Sequence, residues 1–223
     1  MALARARLAV WVIIAGGEGV PAETRTARLL PLFRATIELC EMDPSATRLF
    51  LAVRKGSDEV LGTCLLADLS KAAAGPDWGA RFKSGMVSAT LGLGVWQAWQ
   101  LTQLGPWYDS HVQAAGGPGS IAVERVTVKA SSRGQGIASG MLQQAMDKVS
   151  QGTPTPFSLA TQEASTERLY RKLGFTTVAM DRYPAYKSVP NWFMRRGPAP
   201  KALSGGPDQA RPQASAAGAC AIQ

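Results

Sequence analysis

Two glycines two residues apart, in Arg133-Gly134-Gln135-Gly136-Ile137-Ala138, sit where a chain can offer several backbone N–H groups to one anion. A glycine turn that feeds a helix start leaves those donors unpaired, with the positive end of the helix dipole behind them. Pyrophosphate fits such a cradle. A side chain at either glycine would block close approach or forbid the positive φ that the turn needs. The same residues also suit an ordinary tight connection between a strand and a helix, and on their own they leave both readings open.

The loop is held between two legible elements. Before it, Ile121 to Val128 reads as a strand, because Val123, Val126, Thr127 and Val128 are β-branched and the run stops at a Ser-Ser-Arg-Gly turn. After it, Ile137, Met141, Leu142, Ala145, Met146 and Val149 fall on one 3.6-period face, which predicts a helix to Ser150 with Gly152 placed to close it. Beyond Pro156 the sequence predicts an apolar strand and then a short helix. That helix has Ser165 or Thr166 as N-cap, Glu167 in its first turn, Arg171 and Lys172 in its last, and Gly174 closing it. Phe175 opens another strand.

The order strand, glycine loop, helix, strand, helix with Leu169-Tyr170-x-x-x-Gly174-Phe175, strand resembles the GNAT superfamily of N-acetyltransferases. Residues 121 to 179 match its acetyl-CoA signature at both ends. Leu49 to Leu69 is similar to the family's hairpin, and Trp192 to Arg196, after Ser188-Val189-Pro190, to the end of puromycin-N-acetyltransferase-like members. The resemblance implies an α/β (α+β) GNAT fold: a central mixed, largely antiparallel twisted sheet, splayed at the acetyl-CoA site, with flanking helices over residues 22 to 196. It implies acetyl-CoA as co-substrate and direct transfer to an amine in a ternary complex. Backbone groups of Val126, Thr127 and Val128 would pair with the pantetheine arm as with an added strand. N–H groups from Arg133, Gly134, Gln135, Gly136, Ile137 and Ala138 would hold the pyrophosphate, with Arg133, Arg168, Arg171 and Lys172 nearest to attract the phosphates.

Tyr170 matches the family tyrosine that protonates the coenzyme A sulfur, a task that suits a phenol whose pKa lies near or above that of the thiol. Glu124 is the candidate for taking the amine's proton, directly or through water. The chain departs from the family at Glu163, often Asn there, and at Thr166, often Ala; Glu163 could instead face the acceptor amine. The resemblance at the C-terminal strand favours a small-molecule amine over a protein tail. A non-catalytic acyl-CoA-binding or partner-binding protein of the same fold, or a lysine or N-terminal acetyltransferase, is the alternative.

Composition narrows the classes. The length of 223 residues suits one domain that needs no disulfides. Cys40, Cys64 and Cys220 match no metal spacing and fit a reducing compartment, so the expected location is cytoplasmic. His111 is the only histidine and no carboxylate cluster accompanies it, so no metal is expected. The formal charge of +8 is spread along the chain with no RNA-reading motif, so nucleic acid is not an expected partner. Oligomeric state is not legible.

Residues 1 to 21 pair early arginines with the apolar run Leu8 to Ala15. The segment reads as a first strand, with a signal peptide as the alternative; no small-x-small cleavage site is clear. Glu23 to Glu41 predicts a helix with a stripe of Leu29, Leu30, Phe33, Ile37 and Cys40, interrupted by Pro31. Gly56 to Asp58 turns the hairpin, and Cys64 in its second strand reads as a buried apolar residue. Gly-Pro pairs at 75–76, 105–106 and 117–118 predict breaks around a helix over Gly92 to Gln103. There Trp96, Trp99, Trp107, Tyr108 and His111 form either an aromatic wall over an acceptor amine or core packing, with His111 structural. The tail from Gly197 is rich in Pro, Gly, Ala and Ser and predicts disorder. It ends in Cys220-Ala221-Ile222-Gln223, a prenylation pattern that alanine-rich tails also produce by chance. Membrane association is expected only if Cys220 is lipidated.

Overall fold

The twenty-one residues of α1 (Ala22–Met42) bury Leu29, Leu32, Ala35, Thr36 and Cys40. Leu30 and Ile37, expected on the inner stripe, are instead 45% and 43% exposed. Small Ala35 lets the helix approach its neighbours, and Thr36 can be buried because its hydroxyl donates to the Leu32 carbonyl at 2.9 Å. Pro31 lies on the exposed side, where water can take the carbonyl it leaves unpaired. This computed structural model describes residues 20–72, 78–184 and 189–198. The expectations for residues 1–19, the 75–76 break and the tail with Cys220 therefore lie outside the described residues.

Next comes a hairpin of β1 (Thr47–Val53) and β2 (Val60–Asp68), turned at Gly56 with φ 79°. Cys64 is fully buried on β2, and burial pushes its thiol up to about 12, so it packs as an apolar residue. Three short helices follow, α2 (Leu69–Ala72), α3 (Trp78–Lys83) and α4 (Met86–Gly92). Then α5 (Val95–Gly116) runs unbroken through Gly105 and Pro106, where the sequence predicted a break. Val112, Ala115, Trp107 and Tyr108 of its second half pack with Ala122 and Phe193 of the sheet. That burial outweighs the one hydrogen bond that Pro106 removes. Trp96 and Trp99 do not pack in the core: they stack on each other at 4.9 Å and stay 61% and 52% exposed.

The remaining elements are β3 (Ile121–Val128), a 3-10 turn over Ala130–Ser132, α6 (Ile137–Ser150), β4 (Phe157–Thr161), α7 (Ala164–Lys172), β5 (Thr176–Arg182) and β6 (Pro190–Arg196). Helix α6 buries Met141, Leu142, Ala145 and Met146, as its periodicity predicts, and Gln151 with φ 45° ends it just before Gly152. The N-cap of α7 is Glu163, not Ser165 or Thr166. Those two hydroxyls donate to the Glu163 carboxylate at 2.5 and 3.3 Å, which makes that carboxylate the hub of the first turn.

The strands form one six-stranded sheet in the order β1-β2-β3-β4-β6-β5. Every neighbouring pair is antiparallel except β3 with β4. Helices α6 and α7 cover one face, through Met141, Leu142, Met146 and Tyr170 packed on Leu66, Val123, Leu159 and Met194. Helix α5 covers the other. No helix among the described residues is long and apolar enough to cross a membrane.

One contact fixes how closely α5 approaches the sheet. A Cβ on Gly116 would stand 2.2 Å from Ser120 Oγ and 2.6 Å from Ser158 Oγ, both on fully buried residues. Gly116→Ala is therefore expected to destabilise the protein by about 1–3 kcal/mol through overpacking, read as a lower denaturant midpoint. An unchanged midpoint would show that α5 can shift away without cost.

Candidate active site

Strands β3 and β4 pair only at Ile121 with Phe157 and at Ala122 with Ser158, and then part. The gap between them is lined by backbone groups that no strand takes. Pro156 O accepts from Ile121 N–H at 2.9 Å, so along β4 the backbone groups of Ser158 complete the short pairing with β3, and alternation turns the N–H and C=O of Ala160 the same way, into the gap. Lys129 N–H donates to Leu61 O at 2.8 Å, which directs the backbone groups of Thr127 toward β2 and those of Val128 and Val126 toward the gap. The Thr127 hydroxyl pairs with that of Thr63 at 2.7 Å. Arg133 Nε donates to Val128 O at 3.2 Å, tying the glycine loop to the strand that feeds it.

A bulge lies in β3 at the mouth of the gap. Thr63 pairs with Thr127 and Leu65 with Glu124, so Cys64 opposes both Arg125 and Val126, and Arg125 takes φ 49°.

The loop itself has the form its glycines require. Gly134 and Gly136 sit at φ 78° and 76°, with open space where a Cβ would stand. Gly136 is the N-cap of α6 with no side-chain cap, and the first bond of that helix runs from Gly140 N–H to Gly136 O at 3.0 Å. Among the described residues, no backbone acceptor takes the N–H groups of Gly134, Gln135, Gly136, Ile137, Ala138 or Ser139. A row of unpaired donors at an open helix start fits a pyrophosphate. Of the cations expected to attract the phosphates, Arg171 pairs with Glu167; Lys129, just before the loop, pairs with Glu59 at 2.5 Å.

Three side chains of chemical interest meet at the gap from two faces. Ala122 belongs to the α5 face, and alternation places half-buried Glu124 there too. Burial raises the Glu124 pKa; Arg125 opposes the rise and Asp109 adds to it. From α5 the Tyr108 hydroxyl donates to Ala160 O at 3.2 Å, which carries it into the gap. Burial pushes that phenol's pKa up, and Glu124, Tyr170 and Asp109 lie near enough to push the same way. Tyr170 comes from the opposite face. It is 6% exposed, within the α6 and α7 core, and packs edge-on against Phe175 at 5.7 Å.

The fold thus sets both Glu124 and Tyr170 near Tyr108, a residue with no separate role in the sequence analysis. The available signal was a hydroxyl within an aromatic cluster, since a phenol packed against the core must find a partner. His111 serves packing: Nδ1 lies 2.7 Å from Trp107 O, Nε2 3.1 Å from Asp181, and the ring stacks on Phe193 at 4.8 Å. Glu163 is held in its own helix turn by Ser165 and Thr166. Among the described residues, no group of three or more His, Cys, Asp or Glu stands close enough to hold a metal.

Residues 101–177, which contain most of α5, the gap, the loop and α7, match the family model described as an acetyltransferase (GNAT) domain. No curated protein matches the chain. Among solved structures, the chain is similar to a histone acetyltransferase HPA2 and related acetyltransferase of Corynebacterium glutamicum, with TM-score 0.48 and 15% identity over 88% of this chain and 92% of that one. It is similar to a nourseothricin acetyltransferase at TM-score 0.42 and 14% identity, over 70% of this chain and 67% of that one. A third likeness is to an acyl-CoA N-acyltransferase of Pseudomonas aeruginosa, at TM-score 0.38 and 16% identity over 74% and 89% of the two chains. At such identities and TM-scores these likenesses carry nothing further; the domain match and the geometry do.

Proposed function

We propose that the chain, whose residues 101–177 match the acetyltransferase (GNAT) domain model, is an N-acetyltransferase that moves an acetyl group from acetyl-CoA directly to the amine of a small molecule, both substrates being bound at once. The observation that carries this reading is the gap between β3 and β4, with Glu124 and Tyr108 on one face, Tyr170 on the other and the unpaired N–H loop beyond Val128. Acetyl-CoA supplies the activated acyl group and a thiolate leaving group.

The chain's own residues supply the rest. The outward groups of Val126 and Val128 hold an extended arm in the gap, and the N–H groups of residues 134–138 hold its phosphates. Glu124 takes a proton from the attacking amine, a role favoured by the burial that raises its pKa toward neutrality. Tyr170 donates a proton to the departing sulfur from the opposite face. A pathway with the two groups on opposite faces needs no covalent enzyme intermediate. The charge of +8 disfavours lysine-rich peptides as acceptors.

The test is release of free coenzyme A from acetyl-CoA across aminonucleosides, polyamines, aralkylamines, amino acids and lysine peptides, with each product confirmed by mass. Release with a small amine and a product heavier by one acetyl group is expected. No release with any of them would overturn the reading, and turnover confined to peptides would replace its acceptor class.

A further inference from the structure

The bulge in β3 does more than interrupt a ladder. In a regular strand Glu124 and Arg125 would face opposite sides of the sheet. The extra residue opposite Cys64 breaks that alternation, and the Arg125 guanidinium stands over the Phe33 ring of α1, 5.9 Å from its centre. Helix α1 packs with α4 and α5, so Arg125 shares the face of Glu124 and Tyr108. Among the described residues Arg125 is the one non-glycine within a strand with positive φ, a conformation that costs free energy and must be held by its surroundings.

What the bulge delivers there is an unanswered donor. Nη1 of Arg125 is buried and has no hydrogen-bond partner, and among the described residues no carboxylate lies within ion-pair distance of this guanidinium. A buried guanidinium nitrogen without an acceptor is unfavourable, and an anion supplied by a ligand removes the penalty. The planar fork of arginine matches a carboxylate bidentately, through two parallel N–H···O bonds. Glu124, its neighbour in sequence and on the same face, is the group placed to take the amine's proton. The two are adjacent in sequence and on one face, so an amine and an anion that they receive suit one compact molecule.

We propose that Arg125 binds the acceptor and that the acceptor is an amine carrying a carboxylate, such as an amino acid. This rests on the acetyl-transfer reading above and names the acceptor class within it. The experiment compares kcat/KM for pairs that differ only in the carboxylate: phenylalanine with phenethylamine, tryptophan with tryptamine, and alanine with ethylamine. Wild-type protein is expected to prefer the carboxylate-bearing member of at least one pair by about 100-fold or more. In Arg125→Met that ratio should fall to near one, the loss falling on the carboxylate-bearing member, whereas Arg125→Lys should keep an intermediate ratio.

Indifference of the wild type to the carboxylate, or a preference for the decarboxylated member, would overturn the proposal while leaving acetyl transfer intact. An Arg125→Met loss of equal size on both members would overturn it too. Should Arg125→Met fail to fold, the wild-type ratios still decide. Absence of turnover with every amine would instead remove the acetyl-transfer reading, and this proposal with it.

Discussion

Tyr170→Phe is expected to lower kcat by roughly 10²- to 10³-fold, the range of a positioned proton donor, with little change in KM for acetyl-CoA. The substitution removes one oxygen and keeps the ring, which is 6% exposed and packs edge-on with Phe175 at 5.7 Å. The fold should therefore lose no more than about 1–1.5 kcal/mol, the net worth of a hydrogen bond. Steady-state kinetics at saturating amine separates the outcomes. A rise in the acetyl-CoA KM with kcat intact would make Tyr170 a wall of the site, and unchanged kinetics would leave it as core packing.

The second large effect concerns Glu124. A base must be ionised to work, and burial raises the Glu124 pKa above its ordinary value of 4.5, against the pull of Arg125 and with the push of Asp109. Activity should therefore fall as pH drops through that raised value, placing the acid limb of kcat/KM above the usual carboxylate range. In Glu124→Gln, kcat/KM should drop by about 10² to 10⁴-fold and the limb should vanish, because the amide cannot take the proton. A limb that persists in Glu124→Gln would assign it to another group.

Stability gives an independent reading of the same group. An acid whose folded pKa lies above its unfolded one favours folding most while it is protonated, and that contribution is lost as pH rises from the unfolded value through the folded one. Above that window the ionised carboxylate is a cost, so Glu124→Gln should be no less stable there than wild type. Lower activity with undiminished stability is the signature of a group kept for chemistry.

Much of this site was legible in the chain, for identifiable reasons. The stretch from Ile121 to Ser150 declares itself because β-branched residues, paired glycines and a clean 3.6-period face follow one another without conflict. The Leu169-Tyr170 helix has its charges arranged to suit the dipole. What stayed hidden depended on tertiary contacts. Gly105-Pro106 reads as a break until the sheet face that α5 covers is known. The stripe of α1 looks as if it should centre on Leu30 and Ile37, because periodicity cannot foresee that Thr36 will satisfy its own hydroxyl at Leu32.

The bulge at Arg125 was beyond reach for another reason: it is a mismatch in pairing between two strands, and neither strand alone records it. Tyr108 likewise takes its meaning from Ala160, 52 residues away.

The division of the gap between two faces of the sheet has a consequence for how such a protein can change over generations. On the proposed reading the groups that hold the acyl donor lie on α6, α7 and the rims of β3 and β4, while α5 covers the opposite side and packs with α1 and α4. Substitution or exchange within those helices alters what meets Glu124 and Arg125 without touching the phosphate loop. Choice of acceptor can thus drift, be lost and be regained as a separable trait, while the machinery for handling the acyl donor is inherited intact.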